Sequence, residues 1–179
     1  MHWRRGSPPV AYRHTGPVIA VFIGEGTLRL PSGEKQARHD GEVAYFEAGS
    51  SAMAGELLTD APLKATVIEL KDAPASRPLP QTAYPPAFPR ADATILRDTP
   101  KAVVWTGQLR ADQPTPVHLH DKNSVTVYTS DAVISRAHPN QPPRQDARRA
   151  GAWEVLHAGY LDFEQAVGAP ARFVAIVLK

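Results

Sequence analysis

The chain contains no cysteine. Disulfides, thiolate metal sites and a cysteine nucleophile are thereby excluded, while the redox compartment stays open. Long apolar runs are missing too. Val18 to Ile23 is too short for a signal core or a membrane span, and the basic start MHWRRGSPPVAYRHTG has no such core behind it. As written, the chain reads as soluble and cytoplasmic, without a membrane partner. Nor is there an excess of one charge: 20 Lys and Arg against 18 Asp and Glu leave +2, too balanced for a nucleic-acid partner. No GxSxG, Walker-type loop, Rossmann glycine fingerprint or HExxH occurs. No window longer than about ten residues carries a helical stripe. Glu47–Leu58 comes nearest, and Gly49 and Gly55 interrupt it.

Proline is abundant, with 18 in 179 residues, which favours turns over helices. With 42% apolar and 21% charged residues, the chain can bury a real core as one domain or two small ones. Short strand-like runs lie at Val18–Ile23, Thr27–Leu30, Val43–Phe46 and Ala65–Leu70. Further ones lie at Ala102–Leu109, Val117–His120, Val125–Thr129, Ala132–Arg136, Trp153–Leu156 and Phe173–Leu178. Turn signals such as Pro31-Ser32-Gly33, Ala158-Gly159 and Gly168-Ala169-Pro170 separate them. This pattern predicts an all-β chain built as a barrel or sandwich. The cluster Arg144, Arg148 and Arg149 reads as part of a solvated loop.

The chain also repeats itself. VAYFEAGSSAMAGELLTDAPLKATVIELK, ending at Lys71, and WEVLHAGYLDFEQAVGAPARFVAIVLK, ending at Lys179, share the order of Ala-Gly, Ala-Pro and a closing apolar strand. PVIAVFIGEG and NSVTVYTSDA match upstream. Residues 1–71 and 94–179 are therefore expected to be two related halves. Residues 72–93 hold prolines at 74, 78, 80, 85, 86 and 89 and read as an extended connector, with Tyr84 and Phe88 pinning it to a barrel.

The most pointed chemistry is in PTPVHLHDKNSVTVYTSD, where His118 and His120 stand one residue apart. In an extended chain both imidazoles face the same way. They supply half of a metal site, or two polar groups of a ligand pocket.

PTPVHLHDKNSVTVYTSDA, followed by RRAGAWEVLHAG and the final strand, resembles the two motifs of a cupin domain. The resemblance covers residues 100–179 well and 7–71 more faintly, so the whole resembles a bicupin, two jelly-roll barrels in tandem. In metal-binding cupins two histidines, a glutamate and a second-motif histidine hold the ion. Carried over, His118 and His120 match the pair, the glutamate falls on Val125 and the last histidine on Leu161. The first half gives Tyr12, His14, Ile19 and Ala52. The resemblance thus implies a degenerate metal motif, with no cofactor or a weakly held divalent iron, zinc, nickel or manganese. Tyr160, Asp162, His157 and Gln108 are the residues nearby that could fill in. His2, His39 and His138 read as solvated loop residues.

The expected pocket comprises His118, His120, Val125, Val127 and Leu161 in the second barrel, with Tyr12 and His14 in the first. Two functions follow: a small-molecule-binding or structural bicupin without chemistry, or a metal-dependent dioxygenase, isomerase or cyclase acting in the second barrel. The hydrocarbon expected at Val125 and Leu161 favours the first.

The first half has no counterpart to the strand Ala102–Thr106. A sheet one strand short leaves N–H and C=O groups unpaired, at about 1–3 kcal/mol for each one buried. A connector that lacks six amides is a poor partner for such an edge, so a homodimer is expected. Light scattering at micromolar concentration checks this, and a monodisperse monomer near 19.4 kDa overturns it.

Overall fold

The structure is a computed structural model that describes residues 1–7, 14–50, 55–72, 79, 81–90 and 92–179. Among these residues every regular element is a strand. None forms a helix long and apolar enough to cross a membrane. The chain divides into two compact units, Met1–Asp72 and Ala73–Lys179.

The first unit holds β1 (His2–Trp3), β2 (Val18–Ile23), β3 (Gly26–Arg29), β4 (Lys35–Arg38), β5 (Val43–Phe46), β6 (Glu56–Leu57) and β7 (Leu63–Glu69). They form two sheets, in the orders β1-β7-β2-β5 and β4-β3-β6. The second unit holds β8 (Thr94–Asp98), β9 (Ala102–Leu109), β10 (His118–Leu119), β11 (Ser124–Tyr128) and β12 (Ala132–Ala137). It continues with β13 (Arg144–Arg148), β14 (Trp153–Leu156), β15 (Leu161–Ala166) and β16 (Ala171–Leu178). Its sheets run β14-β11-β16-β9-β8 and β10-β15-β12-β13.

One pairing scheme serves both units. β2 pairs with β5 and β7, and β3 with β4 and β6. In the same order β11 pairs with β14 and β16, and β12 with β13 and β15. All of these ladders are antiparallel, as a jelly roll requires. β1 lies against β7 as β9 lies against β16, but it is two residues long where β9 has eight.

Apolar alternation marked the core strands and missed the covering ones. β4 is KQAR and β13 is RQDAR, both largely exposed, so neither carries an apolar stripe. Arg144–Arg148 is consequently a strand, paired with β12 from Ala132 to Arg136, and not the loop expected of it. β15 was missed for a different reason. Its sequence LDFEQA alternates strictly, but Asp162, Glu164 and Ala166 form its buried face.

Each unit has its own aromatic core. In the first, Trp3 stacks on Phe22 at 6.1 Å, among Leu28, Leu57 and Leu63. In the second, Trp105 meets Phe173 edge-on at 5.2 Å, beside Leu109, Tyr128 and Ile134. The described part of the proline-rich segment, residues 81–90, runs with this second unit. Ala87 N–H donates to Leu119 O at 2.7 Å, Leu119 N–H donates to Pro85 O at 2.8 Å, and Phe88 stacks on Trp105 at 5.5 Å. Tyr84 stays 44% exposed, so Phe88 is the ring that docks.

Gly107 lies where this aromatic packing is tightest. A methyl group there would sit 2.8 Å from Cζ3 of Trp105 and 3.0 Å from Cζ of Phe173. Gly107→Ala is expected to destabilise the protein by about 1–3 kcal/mol, measurable by urea unfolding. An unchanged midpoint would mean that the rings give way freely.

Candidate metal and ligand site

β10 is short because Pro114 and Pro116 precede it and offer no amide. It pairs with β15 so that His118 stands opposite Asp162, and Leu119 opposite Leu161. Directly opposed residues share a face, so His118 and Asp162 point the same way and Leu161 points the other. The same parity governs β11. Ser124 pairs with Leu156 and Val177, whereas Val125 pairs with Val155 and Ile176.

The expected pocket therefore needs correction at three positions. Ser124, Thr126, Leu156, Trp105, Phe173 and Val177 line the inner cavity beside His120, while Val125, Val127 and Leu161 lie on the opposite faces of their strands. The register counted along the sequence was one residue out on both strands, and a one-residue slip reverses every side chain. The reading that hydrocarbon replaces two of four ligands falls with it, because Asp162 stands where Leu161 was placed.

His118 and His120 are both buried, with rings 5.1 Å apart. Nε2 of His118 lies 3.0 Å from Asp162 Oδ1, and Nε2 of His120 lies 3.2 Å from the same oxygen. Two atoms each about 2.1 Å from one ion, at right angles, would be about 3.0 Å apart, so these spacings suit a shared cation. His118 adds a specific strain. Its Nδ1 is 2.9 Å from Pro116 O, which can only accept, so Nδ1 carries the proton. In the neutral ring Nε2 then offers a lone pair, and it faces both the Arg90 donor Nη2 at 3.1 Å and the Asp162 acceptor at 3.0 Å. With the ring neutral the contact with Asp162 is the unfavourable one; a cation between nitrogen and oxygen would relieve it and would take the lone pair from Arg90. Asp162 has no exposed surface, and its Oδ2 is without a hydrogen bond. The three residues thus fit a divalent ion, with two imidazoles and one carboxylate as donors.

Behind the cluster lies an ionic network. Arg136, on β12, grips Glu154 through Nη1 at 2.8 Å and Nη2 at 2.7 Å, and Glu164 through Nη2 at 2.7 Å. Its Nε is 2.9 Å from Asp162 Oδ2, but its N–H does not aim at that oxygen, so the contact is charge attraction alone. Tyr128 donates to Glu154 at 2.6 Å, Arg148 reaches Glu154 at 3.1 Å, and Arg90 reaches Glu164 at 3.2 Å. Burial opposes the charge on Asp162, but the two imidazoles outweigh it and hold the carboxyl below its usual range. Glu154 is likewise held down, against burial, by Arg136. Burial and then Glu154 push the Tyr128 phenol up, so it stays a donor.

The remaining expected residues distribute plainly. His14 is buried, with Nδ1 2.6 Å from Gly16 O and Nε2 3.4 Å from Ser50 Oγ. Tyr12 and Ala52 lie outside the described residues, and Ile19 is fully buried. His2, His39 and His157 are exposed, while His138 is half-buried with its ring 6.4 Å from Tyr160. Sequence reasoning missed Glu154, Glu164, Arg136 and Arg90. The alternating acids of LDFEQA were the available signal.

Neither a family model nor a curated protein matches the sequence. Solved structures do. A cupin 2 conserved barrel domain protein from Leptotrichia buccalis is 10% identical, with 99% of this chain and 81% of its own covered, at a TM-score of 0.53. A cupin domain from Bordetella pertussis is 17% identical, with 55% and 99% covered, at 0.44. A cupin-2 domain containing protein from Shewanella frigidimarina is 13% identical, with 51% and 83% covered, at 0.41. The first of these spans the whole chain, and with the antiparallel sheets above it shows that the chain has the cupin fold.

Removing the Arg136 guanidinium should be severe. Arg136→Met would leave three carboxylates facing one another, at an expected cost of about 3–5 kcal/mol in urea unfolding. The pH dependence has a definite sign. Asp162 and Glu154 have folded pKa values below their unfolded ones, so their contribution is present above the ordinary carboxylate range and lost as pH falls through and below it. A stability profile flat from pH 6 down to about 2 would contradict this network.

Proposed function

We propose that the chain carries two cupin-type barrels, and that the second binds a small molecule with the help of a divalent metal ion held by His118, His120 and Asp162. One observation carries this reading: three donor atoms, from β10, the residue just after it and the paired β15, converge on one buried point, one of them from a carboxylate with no exposed surface. The repeated strand pairing of the two units supports the tandem arrangement.

Nε2 of His118, Nε2 of His120 and Oδ1 of Asp162 would hold the ion, and the bound ion would supply Lewis-acid polarisation of an oxygen on the ligand. The chain's own residues do the rest. Asp162 brings the negative charge that offsets a dication. Arg136 fixes Glu164 and Glu154, which keeps the interior polar but fully occupied. Ser124 and Thr126 present hydroxyl groups, while Trp105, Phe173 and Leu156 exclude water around them. Nδ1 of His118 is held by Pro116 O, which fixes the tautomer a ligand nitrogen needs. In the first unit His14 is engaged with Gly16 and Ser50, and we assign it a structural role.

The alternative is catalysis. Two histidines and one carboxylate leave coordination positions open, which is the donor set of metal-dependent oxygen chemistry. In this conformation the cavity beside His120 measures about 30 Å³, room for a water molecule.

Titration calorimetry of chelator-treated, untagged protein with Mn²⁺, Ni²⁺ or Zn²⁺ tests the proposal. One ion per chain is expected, with affinity reduced about tenfold or more in His118→Ala and His120→Ala. Both variants should keep the wild-type circular dichroism. Absence of binding at millimolar metal, or binding unaffected by either substitution, would sink it.

A further inference from the structure

The strap at residues 85–90 does more than cover the barrel. It carries Arg90 into the same space as the proposed ion. Arg90 Nη2 is 3.1 Å from His118 Nε2 and 3.2 Å from Glu164 Oε1. Its Nε donates to Ala87 O at 3.1 Å, and its guanidinium carbon lies 5.7 Å from the centre of the Trp105 ring. Four partners therefore fix this one side chain. The strap is fixed in turn by the two backbone bonds to Leu119 and by Phe88 on Trp105.

We propose that Arg90 is a built-in occupant of the site, a cation supplied by the chain itself that must withdraw before a metal ion can bind. The argument is one of lone pairs. A neutral imidazole whose Nδ1 is protonated has a single lone pair on Nε2. That pair either accepts from Arg90 or binds an ion; it cannot do both. Charge adds to the exclusion, because a dication on His118 would sit beside a guanidinium in a poorly hydrated interior. The interior is also already balanced. Asp162, Glu154 and Glu164 carry three negative charges, and Arg136, Arg148 and Arg90 carry three positive ones. With Arg90 withdrawn the balance becomes negative by one, which favours the incoming ion.

Room for that withdrawal exists. Arg90 also lines an outer cleft of about 480 Å³, bounded by Pro85, Pro89, Arg110, Gln113 and Pro116, with His118 at its inner end. A rotated Arg90 side chain can lie there in contact with water while the strap backbone stays in place. Glu164 keeps Arg136 when Arg90 leaves, so it is not abandoned. The site thus has two exclusive states, capped by arginine or loaded with metal. The measured metal affinity is the intrinsic one reduced by the fraction of chains that are uncapped.

This rests on the metal reading above, and the test separates the two. Zn²⁺ is titrated into chelator-treated wild-type protein, Arg90→Gln and Arg90→Lys. The glutamine variant removes the cation but keeps part of the cover on Trp105; the lysine variant keeps the cation. Arg90→Gln should bind about tenfold tighter than wild type, with Arg90→Lys close to wild type. In parallel, the Arg90 Nε–H resonance is identified in a ¹⁵N spectrum by its absence from Arg90→Gln. It should be protected in metal-free protein and exchange rapidly at saturating Zn²⁺. One zinc per chain with equal affinity in wild type and Arg90→Gln overturns the capping role and leaves the metal site standing. No zinc binding to any of the three chains overturns both. An Arg90 Nε–H shift that is the same in metal-free and zinc-saturated protein also overturns the capping role, because it shows the side chain in one place in both states.

Discussion

A single guanidinium organises the interior of the second unit. Arg136 reaches from one sheet to Glu154 on the other, and along its own sheet to Glu164 and Asp162. Carboxylates inside a small barrel would ordinarily take up protons or swell the structure with water. Here each one has a cation in contact, and Tyr128 adds a neutral donor. Because the acids are ionised and fixed, Asp162 can face the two imidazoles as a charged group. The candidate metal site is therefore one face of a larger charge cluster, joined to it through Asp162.

The fold was more legible in the sequence than the site. Apolar runs such as Val18–Ile23 and Ala102–Leu109 announce strands because hydrocarbon must be buried. The repeat was visible because turn residues recur in order between such runs. The polar strands were invisible for the same physical reason: β4 and β13 bury little. β15 was the costly omission, since it carries Asp162 and Glu164. Its residues obey the period of two, but its Leu161 and Phe163 face turns away from the charge cluster. Any rule that sends hydrocarbon inward chooses the wrong face there, and Val125 on β11 misled in the same way.

Proline density points to an extended connector, but residues 81–90 bend at 83–84 and again at 87–89, and Pro86 alone bridges to a strand residue, Leu119. The role of the segment comes from the residues between the prolines. Ala87 supplies an amide to Leu119, Phe88 supplies a ring to Trp105, and Arg90 supplies a charge to His118. Nothing in the composition of the segment distinguishes such a strap from a spacer. The difference is made by partners more than ten residues away in the chain.

The ionic cluster and the histidine pair differ in how freely they can change during descent. Replacing Arg136, Glu154 or Glu164 singly strands an opposite charge in the interior, so a lineage can alter these residues only by concerted exchange. His118 and His120 are tied to the cluster through Asp162 alone, whose charge they help to hold, so exchanging either perturbs one acid where exchanging Arg136 perturbs three. Change should therefore accumulate at the histidines before it reaches the arginine core.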